Sequence, residues 1–247
     1  LCRERIGKYF KIKGEKMLEN LVVKSRSTDD AWLKWYDIMT KEIKESESRD
    51  GEVVNEVLNA VTVIENPTKN IMTNTTRKLS MRYAIGEMLW YLSANNDVKE
   101  ISKYTSAWER MSDDGETVNS NYGWCIKKKY GFDQYKYVKD LLMRDSLTRQ
   151  AVIHIKEPRN TLENPTKDLN CTVCLQFFVR EGKLYMTTYM RSNDLWMGFP
   201  YDVFQFTCLQ VLLSMELGLE LGTYTHIAGS LHLYKRDYEK SLKNIGE

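Results

Sequence analysis

The sequence predicts an α+β fold, and three observations carry that expectation. Strand-like and helix-like stretches intermix without the regular alternation of a doubly wound sheet. Two strand patterns, residues 172–179 and 183–191, meet at Glu181-Gly182, which is a hairpin signal. Residues 199–217 then read as a long helix, nearly apolar on most faces and therefore buried. The 247 residues, 42% hydrophobic and 28% charged, suffice for one sizeable domain, and no repeat, low-complexity tract or linker divides them. A single domain over residues 1–247 is expected, with 1–28 poorly assigned.

Taken in order, residues 1–28 are basic and weakly periodic and suggest little beyond a short helix. Asp29-Asp30 has the character of a helix N-cap, and Trp32, Trp35, Tyr36, Met39 and Ile43 follow at helical spacing. The polar run 44–51 makes a loop, with Arg49-Asp50-Gly51 at its tip. Arg49 is either a surface cation in a turn or a phosphate contact. Residues 52–65, with Val53, Val54, Val57, Leu58, Val61, Val63 and Ile64, read as extended, and Asn66-Pro67 stops them. Residues 79–92 read as a buried helix with Met81, Ile85, Met88, Leu89 and Leu92 on one side and Glu87 among them, one turn from Tyr91. A short helix over 97–104 leads to Ala107-Trp108. The stretch Asn119-Ser120-Asn121-Tyr122-Gly123-Trp124 reads as a polar and aromatic loop, a candidate ligand wall. An amphipathic helix (133–143), a strand (151–155) and a polar loop (158–169) come next. After the hairpin and the long helix, a strand (223–234) and a solvated helix (235–244) close the chain.

Composition narrows the function. Net charge is +2 from 36 basic and 34 acidic residues, so no global field favours nucleic acid or a membrane surface. An anionic ligand must be held by a few local arginines. Five cysteines is an odd count and does not suggest a disulfide framework. Cys171 and Cys174 form a lone C-x-x-C in a strand-like run with no second pair and no nearby histidine, so no metal site is expected. No secretory leader pattern and no apolar run of membrane-spanning length is visible, which predicts a soluble, cytoplasmic protein.

The chemistry concentrates between Asn170 and Tyr234. Cys171 follows a loop and begins a strand, with Arg191 twenty residues on, across the hairpin. A neighbouring guanidinium favours the nucleophilic thiolate, although a lone cysteine is more often a buried small hydrophobe. These residues alone leave open a cysteine hydrolase and a nucleotide-binding module without chemistry.

Several motifs fall together in one order: Glu87-Met-Leu-Trp90, Ala107-Trp108, Tyr122-Gly123, Arg149, Asn170-Cys171, Gln176-Phe177, Arg191-Ser192-Asn193-Asp194, Gly198-Phe-Pro-Tyr-Asp202 and His232-Leu-Tyr234. In these, residues 50–235 resemble the thymidylate synthase superfamily, which includes the phage pyrimidine hydroxymethylases. The resemblance implies a large mixed sheet packed by helices and a sheet-to-sheet homodimer. It implies 5,10-methylenetetrahydrofolate as co-substrate and a pyrimidine nucleoside monophosphate as acceptor. Cys171 would attack C6 of the base, turning C5 into a nucleophile toward the one-carbon unit. Glu87 would order water and move protons, and Tyr122 would lie near the thiol. Arg191 and Ser192 would hold the 5′-phosphate, with Arg149 reaching in from the partner subunit. His232 and Tyr234 would contact the sugar hydroxyl, and Gln176 the nucleotide. Trp108, Asp194, Gly198 and Tyr201 would line the folate side.

Asp202 stands where the synthases place an asparagine. A carboxylate accepts from N4-H2 of cytosine and repels O4 of uracil, and a proton shared with N3 completes the pair. A buried polar mismatch of this kind discriminates by ~10⁴-fold or more. The phage deoxycytidylate hydroxymethylases resemble this sequence in that aspartate, in Asn119–Trp124 and in Gly229-Ser-Leu-His232. The expected activity is therefore transfer of a one-carbon unit to dCMP, giving 5-hydroxymethyl-dCMP. A reductive C5-methylase of dUMP or dCMP, a CMP hydroxymethylase and an inactive nucleotide-binding homologue remain the rivals. Three departures from the synthases stand out: Gln150 in place of a second arginine, and Asn170 and Thr172 flanking the cysteine. Arg49 could supply the phosphate contact that Gln150 lacks.

Overall fold

The computed structural model describes residues 18–41, 46–48, 51–77, 79–157 and 166–239. Arg49, the proposed phosphate contact, lies outside them. In order, the elements are β1 (Leu18–Glu19), β2 (Val22–Ser25), α1 (Thr28–Lys41), β3 (Ser46–Glu47), β4 (Val53–Ile64), α2 (Met81–Ser93), α3 (Val98–Ser102), α4 (Ala107–Met111), α5 (Tyr122–Lys127) and α6 (Gln134–Arg144). Then follow β5 (Val152–His154), β6 (Thr172–Arg180), β7 (Lys183–Met190), β8 (Asn193–Asp194), α7 (Phe199–Leu217) and β9 (Glu220–Tyr234).

All nine described strands join one mixed sheet in the order β1-β4-β9-β7-β6-β5, with β2 and β3 also on β4 and β8 on β9. The β6–β7 hairpin turns where the sequence predicts it, with Glu181 and Gly182 both left-handed (φ 52° and 72°). Side chains along β6 and β7 alternate between buried and half-buried, as one core face and one uncovered face require. Phe178, Tyr185, Tyr189 and Ile227 fall on the half-exposed side.

The core face is packed by α1 and α7. Trp32, Trp35 and Met39 on α1 are fully buried. The Trp32 indole donates to the Leu195 carbonyl at 2.8 Å, tying α1 to the segment just past β8, and Trp35 donates to Thr62 Oγ1 at 2.8 Å. From α7, Gln210 donates to the Leu184 carbonyl at 2.9 Å and Gln205 to the Ala84 carbonyl at 2.9 Å. These two glutamines join a helix to the sheet and to α2 while satisfying buried carbonyls.

Two expectations are corrected. The stripe on α2 does not face the core: Ile85, Leu89 and Leu92 are 50%, 57% and 41% exposed, and the buried residues are Ala84, Gly86, Glu87 and Trp90. Apolar periodicity therefore marked the wrong side of the helix, because Glu87 is hydrogen-bonded inside by Gln205 and Tyr83. The stretch Asn119–Trp124 is also not all loop. The Asn121 side chain accepts from the Trp124 N–H at 2.7 Å, capping α5 from Tyr122 onward. Gly123 lies so close to α2 that a Cβ there would fall on the Tyr91 carbonyl.

The alternation in β9 slips once. Pairing with β4 steps from Ala60↔Ala228 to Leu58↔Ser230, skipping Asn59 (φ 52°) and Gly229. Before this point the even residues Tyr224, His226 and Ala228 are buried; beyond it the odd residues Leu231 and Leu233 are. The register with β4 is the same on both sides, so the change of face is shared with β4, where burial passes from Ala60 to Val57, and His232 is left half-exposed.

Candidate active site

A cleft of about 520 Å³ opens at this end of the sheet. Ten of the residues singled out in the sequence line it: Glu87, Trp108, Tyr122, Cys171, Ser192, Asp194, Gly198, Tyr201, Asp202 and His232. They come from α2, α4, α5, β8, α7 and β9 and from the edges of the hairpin.

Cys171 stands at the mouth of β6. The Arg191 guanidinium reaches it, with Nη2 3.6 Å from Sγ, while donating to the carbonyls of Asn170 (3.1 Å) and Leu169 (3.0 Å). The expected thiolate bias is only half of the account. Burial pushes the thiol up, Arg191 pulls it down, and the carboxyls of Asp202, Asp168 and Asp194 push it up again. The net shift is upward, so the thiol is protonated at rest.

Glu87 is buried and accepts from Tyr83 Oη (2.7 Å) and Gln205 Nε2 (3.1 Å). Tyr83 in turn accepts from the Trp108 indole at 3.0 Å. Burial raises the Glu87 carboxyl to about 7 against these bonds, a poise suited to taking up or giving back a proton near neutrality. Tyr122 is buried near the Cys171 thiol, stacked on Phe206 at 5.8 Å.

Asp202 sits in the first turn of α7, where Asn193 Nδ2 donates to its Oδ2 at 2.8 Å. Burial, then the nearby Glu87 charge, raise this carboxyl to about 8 despite that bond. Gly198 makes the pair possible, since a Cβ there would lie 2.9 Å from Asn193 Nδ2 and 3.1 Å from Asp202 Oδ2. Asp194 accepts from the N–H groups of Trp196 (2.8 Å) and Met197 (2.9 Å), and burial raises it too. His232 meets Tyr234 edge to face at 5.3 Å, and the Arg236 guanidinium lies 4.3 Å over the Tyr234 ring.

Gln176 and Arg149 do not line the cleft. Gln176 lies on the half-exposed face of β6 and donates to the Arg149 carbonyl at 3.0 Å, and Arg149 is exposed. Sequence reasoning assigned no role to Arg77, Tyr83, Asn193 or Gln205. Tyr83 was findable, because it lies one turn before Glu87 on the same helix face. Gln205 was findable as one of two amides in an otherwise apolar helix. Arg77 carried no local signal; it is buried, donates to the Trp196 carbonyl at 2.8 Å and faces the Trp196 and Tyr201 rings.

Among the described residues no group of three or more His, Cys, Asp or Glu could hold a metal ion, and no helix is long and apolar enough to cross a membrane. The cleft does suit a flat, partly apolar co-substrate. Trp108, Tyr201, Tyr83 and Met197 provide apolar faces, and the Asp194 carboxyl offers a polar contact beside them.

The same elements carry a likeness to known proteins. The family profile described as thymidylate synthase matches residues 31–246. The chain is 32% identical over 218 residues to the deoxyuridylate hydroxymethyltransferase of Bacillus phage SP01, covering 83% of this chain and 57% of that protein. It is 30% identical over 173 residues to thymidylate synthase 1 of Bacillus spizizenii, and 30% over 170 residues to the thymidylate synthase of Bacillus phage phi3T. Each match covers 66% of this chain and 60% of the relative. The chain thus spans about three fifths of the length of the curated relatives it matches. Since the profile runs from α1 through β9 and takes in every wall of the cleft, this chain belongs to the thymidylate synthase family.

Proposed function

We propose that the cleft transfers a one-carbon unit to C5 of dCMP and releases 5-hydroxymethyl-dCMP. The observation that carries this reading is the Asp202 carboxyl in the cleft wall, half-buried and close to Cys171. Near neutrality it is largely protonated, with one O–H donor and one acceptor. That pair complements the Watson–Crick edge of cytosine, which accepts at N3 and donates at N4. No proton has to be recruited from the base.

In this reading Cys171 adds to C6 after losing its proton, and Arg191 steadies the thiolate as it forms. Arg191 and Ser192 also meet the 5′-phosphate. Glu87, held by Tyr83 and Gln205, orders water and moves a proton at the base. His232 and Tyr234 contact the sugar. Trp108, Tyr201, Gly198 and Asp194 hold 5,10-methylenetetrahydrofolate, which supplies the one-carbon unit when bound. Two chains pair through the half-exposed sheet face, each lending Arg149 to the other's phosphate site.

A second reading, dUMP as acceptor, also has support. The SP01 relative is named for deoxyuridylate, and a neutral carboxyl can pair with uracil if its donor and acceptor exchange places. Incubation with methylenetetrahydrofolate and either nucleotide decides between them, with products resolved by mass and dihydrofolate followed by absorbance. The expected result is 5-hydroxymethyl-dCMP without dihydrofolate. A hydroxymethyl product from dUMP alone would replace the substrate, and a methyl product with stoichiometric dihydrofolate would replace the reaction. Asp202→Asn is expected to move the preference toward dUMP.

A further inference from the structure

A neutral carboxyl distinguishes cytosine from uracil only if its proton is kept on one oxygen. Behind Asp202 lies a buried chain that does this. Tyr224 and His226 are 0% and 1% exposed and share the core face of β9. Tyr224 Oη is 2.9 Å from His226 Nδ1, His226 Nε2 is 3.0 Å from Asn193 Oδ1, and Asn193 Nδ2 donates to Asp202 Oδ2 at 2.8 Å. Burial holds the imidazole neutral, its pKa lowered to about 3, so it has one N–H and one lone pair. With Asn193 presenting Nδ2 to Asp202 and Oδ1 to the ring, Nε2 must carry the ring proton and Nδ1 is left to accept from the tyrosine hydroxyl. Nε2 then donates to the Asn193 carbonyl and holds the amide N–H toward Asp202. Oδ2 is thereby kept an acceptor, and a proton on the carboxyl must sit on Oδ1.

We infer that Tyr224 and His226 are positioning residues that fix the donor–acceptor order Asp202 presents to the base, and so set which pyrimidine is accepted. The inference rests on the nucleotide reading of the cleft. With the ring proton moved to Nδ1, the Asn193 amide would turn over and Oδ2 would have to carry the proton. That exchange is the same reversal that separates a uracil edge from a cytosine edge.

The test is kcat/KM for dCMP and for dUMP in the parent and three variants. Tyr224→Phe removes one oxygen. His226→Leu removes the whole link. His226→Gln keeps an N–H donor where Nε2 was. The ratio between the two nucleotides is expected to move toward unity by about tenfold or more in Tyr224→Phe and His226→Leu, the scale of one buried hydrogen bond left unpaired. His226→Gln is expected to restore most of it. Equal losses for both nucleotides with an unchanged ratio would overturn the inference, as a merely structural role predicts. If His226→Leu fails to fold, Tyr224→Phe decides alone. A parent that prefers dUMP would overturn the dCMP reading, while a ratio that still collapses in Tyr224→Phe would uphold the relay. A parent ratio near unity would overturn both.

Discussion

Arg191 is bound to the chain that carries the thiol it faces. Its side chain donates to the carbonyls of Leu169 and Asn170 while Nη2 lies 3.6 Å from Cys171 Sγ, and its own N–H donates to the Cys171 carbonyl at 2.9 Å. The charge is thus placed by backbone contacts rather than by its attraction to sulfur. Cys171→Ser is expected to lower kcat by at least about 10³-fold with little change in nucleotide binding, as loss of a covalent nucleophile does. Arg191→Ala should move the pH profile of Cys171 alkylation to higher pH, since the guanidinium is what favours the thiolate. An unmoved profile would mean that the two groups do not interact.

Glu87 predicts an unusual slope of stability with pH. Its carboxyl titrates at about 7 in the folded chain, against an ordinary value of 4.5. Between these values the folded chain holds a proton that the unfolded chain lacks. The stability this contributes is fully present below 4.5 and is lost as pH rises through about 7. The effect is of order 3 kcal/mol for a fully buried group. Glu87→Gln should flatten the dependence of Tm on pH across that range and remove a limb of the pH–rate profile near neutrality.

Gly198→Ala tests the room left for Asn193 and Asp202. The added methyl would press on both at once, at 2.9 and 3.1 Å. Activity is expected to fall about tenfold to a hundredfold, as for a misplaced polar contact at a reacting base. Circular dichroism and Tm should change little. A variant with parental kcat/KM would show that the contact between those side chains tolerates displacement.

Arg149 is exposed and does not line its own cleft, so on the proposed pairing of two chains subunit mixing tests its role. Cys171→Ser and Arg149→Ala chains should each be nearly inactive alone. Mixed after reversible dissociation, they should recover about a quarter of parental activity, because half the dimers are hybrids with one intact site. No recovery, with hybrids demonstrated by mass, would place Arg149 outside the phosphate site.

Much of the scaffold was legible because its signals are local. The β6–β7 hairpin, α1 and α7 follow from turn chemistry and apolar spacing, and Phe199–Leu217 came out at the predicted bounds. The α2 face did not, because periodicity counts apolar residues and cannot see that Glu87, Tyr83 and Gln205 satisfy one another inside. Cys171 and Asp202 were legible as residue types at motif positions. Their protonation was not, because it depends on fields from Asp168, Asp194 and Glu87, which only the fold brings near. His226 was passed over for a related reason: Tyr224 lies two residues back on its own strand, but the Asn193 that gives the pair a purpose lies on β8 and only the fold brings it near.

The unpaired residues Asn59 and Gly229 make β9 sensitive to length as well as to content. One stretch of chain seats His226 in the core and His232 in the cleft, although both positions are even. With β4 unchanged, removing Gly229 would shift every later residue by one against it, set His232 opposite Val57 in place of Leu231, and so carry Leu231 and Leu233 out of the core and draw His232 into it. A scan of one-residue deletions along β9 should therefore show a sharp intolerance at 229–230. The count of residues from His226 to His232 is thus a structural requirement in its own right, apart from which side chains fill it.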